Sequence, residues 1–309
     1  MKRLLSSFLL FLILSPGLEA QTIDQRVENL LKQMTLKEKV GQMTQFSIDV
    51  IAKGQPFNLE EPIQLDPDKL QKAVQEYGVG SILNVNHAYT RKQWYEIHQT
   101  IDEAVQKSRL KIPMLYGIDA IHGMNYTQGS TMFPQSLGQA ATWNPGLVEQ
   151  AAAVTAYECR ASGIPWNFNP VLDVMRQPLW SRVFETFGED PYLVSTLGSA
   201  AIRGYEGGNI ANKYRVASCM KHYMGYSYPF TGKDRTPAYI PEWMLREIFL
   251  PPFKAAVEAG AHTIMVNSAE INGIPTHINP YILKTILRDE LGFTGMVVTD
   301  WEDIILLHT

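Results

Sequence analysis

Short apolar runs recur along this 309-residue chain, and nearly every one stops at a charged or amide side chain. The runs cover residues 80–85, 112–118, 166–172, 216–220, 261–266 and 296–298. The residues at their ends are Asp119, Asp173, Lys221 with His222, Asn267 with Ser268, and Asp300. Runs of this length and composition predict strands buried on both faces. Between them lie helical stretches, four of which open on a capping residue followed by proline: Asp66-Pro67, Asn144-Pro145, Asp190-Pro191 and Asn279-Pro280. That pairing supplies an N-cap oxygen and a pre-set first helical φ. Strands and helices alternating every 30–50 residues or so predict a parallel α/β fold.

Two parallel architectures compete. An open doubly wound sheet that binds a dinucleotide needs a Gly-rich turn after an early strand, and no such turn is present. Polar residues at strand tips converging on one face favour an α/β TIM-type (β/α)8 barrel. Six strands are countable, or seven if residues 43–48 are extended. The barrel is therefore expected to be incomplete, its last strand and the following domain missing where the chain stops at Thr309. Thr35 to Glu38 reads as a capping box. Residues 242–259 read as a helix that Pro251 and Pro252 should break or kink.

Residues 1–20 have the layout of a secretory signal peptide: Lys2 and Arg3, an apolar run from Leu4 to Leu14, then Pro16-Gly17 and Ala20. The run is too short for a comfortable membrane span. The mature domain is expected at residues 21–309, exported to the periplasm or secreted, with no membrane insertion after leader removal. A net charge of −4 leaves no basic excess for nucleic acid. Cys159 and Cys219 are expected as small buried hydrophobes, although sequence leaves a bridge between them open. No Cys/His spacing suggests zinc, and neither a metal nor another cofactor is expected.

Each candidate site residue has a plain alternative. Asp300, taken alone, is a helix N-cap; at the tip of a buried parallel strand it stands where barrel enzymes keep their chemistry. Asp119 either caps a turn, with His122 packing locally, or accepts hydrogen bonds from sugar hydroxyls. Lys221 beside His222 is costly to bury for packing alone. Lys221 could be a desolvated Schiff-base nucleophile, or it could bind hydroxyls with His222 and keep a nearby carboxylate ionised. Arg182 and Glu185 form either a weak surface ion pair or a sugar-site group among aromatics. Met265 and Ser268 are candidates for the pocket wall. Asp173 reads as structural, and Lys233-Asp234-Arg235 as a solvated face.

Four ordered motifs then carry a family likeness: residues 34–43 (MTLKEKVGQM), residues 117–123 (GIDAIHG), Lys221-His222-Tyr223, and Val298-Thr299-Asp300-Trp301. The chain resembles the N-terminal barrel domain of glycoside hydrolase family 3, of the β-glucosidase/β-xylosidase type, from about Ile23 to Thr309. The resemblance implies a retaining exo-acting β-glycosidase that removes terminal non-reducing β-linked sugars from an oligosaccharide or glucoside. Asp300 would be the nucleophile. Asp119, Arg182, Lys221 and His222 would hold hydroxyls, Trp301 would lie against a sugar face, and Glu185 would join the network around Arg182. β-Glucosidase is the leading activity and β-xylosidase the runner-up. More remote alternatives are a Lys221 Schiff-base lyase and a non-catalytic sugar-binding fragment. Three departures from the family pattern are visible. Residues 177–182 read QPLWSR, where many members have DPRWGR. Ser268 stands where some members have Tyr. The loop after Lys221-His222 lacks the Asp/His pair of the β-hexosaminidase branch. The acid/base is expected from the missing C-terminal domain, so this fragment alone is expected to be inactive.

Overall fold

The computed structural model describes residues 22–307 except 56–57 and 60–61, and the leader expected at residues 1–20 lies outside them. Seven strands form one parallel sheet in chain order: β1 (Gln45–Ser47), β2 (Ser81–Leu83), β3 (Leu115–Ile118), β4 (Trp166–Asn167), β5 (Ala217–Tyr223), β6 (Thr263–Val266) and β7 (Met296–Val298). Residues 43–48 thus contribute the seventh strand. Registers such as Phe46 to Ile82, Gly117 to Trp166 and Ile264 to Val297 keep the strand tips level. β1 and β7 are the two edges, so among the described residues the sheet curls as a barrel without closing.

The four cap-and-proline starts form as expected. Asp66, Asn144, Asp190 and Asn279 each accept from backbone N–H groups two or three residues ahead. The Thr35–Glu38 capping box is reciprocal. The helix that Asp190-Pro191 opens, α2 (Pro191–Glu206), runs past Gly204 to a left-handed Gly207 at φ 56°. Gly204 serves packing instead. A Cβ there would stand 2.3 Å from the Glu149 carbonyl of α1 (Pro145–Ala161), so the glycine lets the two helices touch. The proline-bearing helix stays continuous, absorbing Pro251 and Pro252 through a wide π turn at Leu245–Phe249.

Two strands differ from expectation. The run at 166–172 gives strand only at Trp166–Asn167. Beyond it Pro170 has no N–H for a ladder, and the Asn169 side chain bonds the Ile121 carbonyl and the Tyr205 hydroxyl instead. Conversely β5 runs on to Tyr223, so Lys221 and His222 lie within it, not after it. Barrel filling is tight near β3: a Cβ on Gly117 would stand 2.2 Å from the Phe168 ring. Cys159 and Cys219 are buried and free, with Cys159 Sγ 3.6 Å from Met124 Sδ. Burial pushes both thiols up, as expected of small hydrophobes.

Candidate active site

The C-terminal ends of the strands open on a cleft of about 1700 Å³ that continues into the barrel. Asp119, Arg182, Glu185, Lys221, His222, Met265, Asp300 and Trp301 all line it. Ser268 does not. Its hydroxyl donates instead to Asp303 Oδ2 at 2.7 Å, behind the wall.

Asp119 directly follows β3. Its neighbour Ala120 is clamped by Asn167 of β4, which accepts from the Ala120 N–H and donates to its carbonyl. The carboxylate receives Lys221 Nζ at 2.5 Å on Oδ1 and Asn84 Nδ2 at 2.8 Å on Oδ2. Burial alone would push the Asp119 carboxyl up; the Lys221 charge and these hydrogen bonds hold it below its ordinary value. Lys221 is 3% exposed, and its Nζ is engaged by the Asp119 carboxylate. Asn84 escaped notice in the sequence because it lies inside the run expected at 80–85; in the structure β2 stops at Leu83, and Asn84 is its tip.

His222 is set from behind by Asp173. One oxygen, Asp173 Oδ2, takes both the His222 backbone N–H at 3.1 Å and ring Nδ1 at 2.8 Å. A carboxylate there favours a proton on Nδ1 and turns Nε2 toward Asp300 Oδ2, 3.7 Å away. Burial pushes Asp173 up to about 7, while burial and the charges of Arg182, Lys221 and Arg235 push His222 well down. The structural reading of Asp173 therefore holds, and what it supports is the site.

Arg182 and Glu185 form a fork of two 2.7 Å hydrogen bonds, largely buried, and not a weak surface pair. The guanidinium carbon lies 5.7 Å from the centre of the Tyr226 ring. Burial opposes its charge, but the Glu185 bonds outweigh burial and raise the Arg182 value further.

Asp300 follows β7 by two residues. The short helix beyond it, Asp303–Leu306, is preceded by Glu302 at φ 60°, so Asp300 is not its cap. Asp300 Oδ1 accepts from the Trp301 N–H at 2.5 Å and from Arg235 Nη2 at 3.2 Å. Its Oδ2 is buried with no hydrogen-bond partner among the described residues. Lys233 and Arg235 are exposed, as the solvated-face reading has it, but Arg235 is also engaged with the site. It also bonds the Trp301 carbonyl and Asp303 Oδ1, and neighbouring Asp234 accepts from Trp180 Nε1 at 2.7 Å. No periodicity marks this loop, so only the fold exposes its role. Burial and the nearby Asp300 charge push Asp303 up to about 6, against the pull of Ser268 and Arg235.

The Glycosyl hydrolase family 3 N terminal domain matches residues 35–308. The chain belongs to glycosyl hydrolase family 3. It is 44% identical over 297 residues to a lysosomal β-glucosidase of Dictyostelium discoideum, spanning 91% of this chain and 35% of that protein. A periplasmic β-glucosidase of Salmonella typhimurium is 35% identical, over 90% of this chain and 33% of its own. Among solved structures, a β-glucosidase of intestinal bacteria involved in saponin metabolism superposes with a TM-score of 0.76 at 35% identity, covering 93% of this chain and 34% of that one. This family 3 chain thus spans about a third of the length of the curated relatives it matches. Among the described residues no helix is long and apolar enough to cross a membrane, and no three His, Cys, Asp or Glu side chains group as a metal site.

Proposed function

We propose that this chain is the barrel part of an exported, retaining, exo-acting β-glucosidase with Asp300 as its nucleophile. The observation that carries the reading is the division of labour within one carboxylate. Asp300 Oδ1 holds two donors, while Oδ2 is buried, has no hydrogen-bond partner among the described residues, faces His222 Nε2 at 3.7 Å and lies beside a cleft ringed by hydroxyl-binding groups. An oxygen desolvated in this way retains its lone pairs for an electrophile. Attack of Oδ2 on the anomeric carbon forms a glycosyl ester as the bond to the leaving oxygen breaks. That oxygen takes the electron pair and a proton from a general acid. Water then reverses the sequence. Asp119, already ionised against Lys221, accepts from hydroxyls of the terminal sugar. Lys221 and Arg182 line the same wall and donate to them, His222 Nε2 accepts from a hydroxyl there, and Trp301 packs on a sugar face.

Retaining chemistry needs its second carboxyl roughly 5–5.5 Å from the first. We assign that acid/base to a segment outside residues 22–307, in keeping with the greater length of the relatives. Export rests on the leader-like residues 1–20. The experiment is turnover of an aryl β-glucoside by the full-length protein carrying Asp300→Asn. The expected result is a loss on the order of 10⁴-fold in kcat with the fold intact; retained turnover sinks the nucleophile assignment.

A further inference from the structure

Arg235 reaches the Asp300 carboxylate from the loop that follows β5. Its guanidinium spans three acceptors: Asp300 Oδ1 at 3.2 Å, Asp303 Oδ1 at 3.1 Å and the Trp301 carbonyl at 2.9 Å. The loop is itself pinned. Phe230 N–H donates to the Pro237 carbonyl, the Thr231 and Thr236 hydroxyls pair at 2.7 Å, and Asp234 is held by Trp180. Asp303, 2% exposed, is braced in turn by Ser268, with His277 Nε2 at 3.5 Å. The positive charge is therefore held at one oxygen of Asp300, and the Trp301 N–H sits on that same oxygen.

We propose that Arg235 fixes Asp300 Oδ1 as the non-reacting oxygen and stabilises the carboxylate charge as it re-forms when the glycosyl ester breaks. This rests on the reading of Asp300 as nucleophile. The two half-reactions use the charge oppositely. When Oδ2 bonds the anomeric carbon, the carboxylate loses its charge, so a cation on Oδ1 favours the starting state and does not speed attack. When water adds to that carbon, the C–Oδ2 bond breaks and its electron pair returns to the carboxylate, while the water proton passes to the general base outside residues 22–307. Charge then grows on Asp300 against a donor already in place, the arrangement that stabilises a departing anion. Arg235 thus acts mainly on deglycosylation.

The test compares full-length wild type, Arg235→Ala and Arg235→Lys on 2,4-dinitrophenyl β-glucoside, whose good leaving group makes deglycosylation limiting. For Arg235→Ala, kcat is expected to fall about tenfold or more and KM to fall with it, because the ester accumulates. The expected kcat/KM stays within about threefold, and the burst of dinitrophenol grows. Arg235→Lys restores part of kcat. If the alanine variant fails to fold, the lysine variant carries the same test with a smaller shift in the same direction. Unchanged kcat, or a parallel loss in kcat and kcat/KM at constant KM, overturns the proposal; the second pattern is what a merely structural contact would give. Turnover by Asp300→Asn separates the two levels: if that variant is active, the nucleophile reading fails whatever Arg235 does.

Discussion

The two ends of the barrel bury carboxylates in opposite ways. At the N-terminal end, Glu206 closes α2 and reaches across to the starts of β5 and β6. Its Oε1 accepts from the Ser218 N–H and hydroxyl and from the His262 N–H, and its Oε2 meets His262 Nδ1 at 2.5 Å. Both oxygens are occupied, and the group ties a helix to two strands. At the C-terminal end, among the described residues, Asp300 has one oxygen hydrogen-bonded and one not, and Asp173 likewise leaves Oδ1 without a hydrogen bond behind His222. A buried polar atom without a partner costs about 1–3 kcal/mol, so a fold selected only for stability fills it, as Glu206 is filled. The difference separates a carboxylate that holds the barrel together from one kept ready for a ligand.

Three substitutions sharpen that contrast. Lys221→Met in the full-length protein removes a cation from the open end and should lower kcat/KM on an aryl β-glucoside by roughly 10³-fold. It also removes the charge that depresses Asp119, so the acid limb of the KM profile moves to higher pH. An unmoved limb would mean that Asp119 is not the group Lys221 serves. Glu206→Ala leaves several buried donors at the closed end unpaired and should cost about 3 kcal/mol by denaturant titration. Its kcat/KM should stay at the wild-type value, and a fall in activity without loss of stability would break the comparison. Asp173→Asn should have the smallest effect, about tenfold in kcat/KM through a less firmly held His222. Asp173 is raised from 3.8 to about 7, so the fold takes up a proton there. Its contribution to stability is therefore present at low pH, falls as pH rises from about 4 to about 7, and is level above. Asn cannot titrate, and a stability–pH curve for this variant should lack that decline.

Part of the open end was legible in the chain. Cap-and-proline pairs work through local backbone geometry, so Asp66, Asn144, Asp190 and Asn279 could be placed from neighbours alone. Asp119 and Asp300 were visible because each stands where an apolar run stops. Arg235 was not, since its partner Asp300 lies 65 residues away and no period marks its loop. Glu206 was not either, because its partners Ser218 and His262 come to it only where β5 and β6 lie side by side. Irregular backbone also hid the shortness of β4, because Asn167 and Asn169 replace ladder bonds with side-chain bonds that periodicity does not record.

The account turns on Asp300 Oδ2 being the atom that bonds to the sugar. Incubating the full-length protein with a 2-deoxy-2-fluoro-β-glucoside slows ester breakdown, so the glycosyl-enzyme can be digested and mapped by mass spectrometry. The account predicts one fluoroglucosyl adduct on the peptide containing Val298-Thr299-Asp300-Trp301, located at Asp300. A stable adduct on Asp119, Asp173, Asp303 or Lys221 would contradict it.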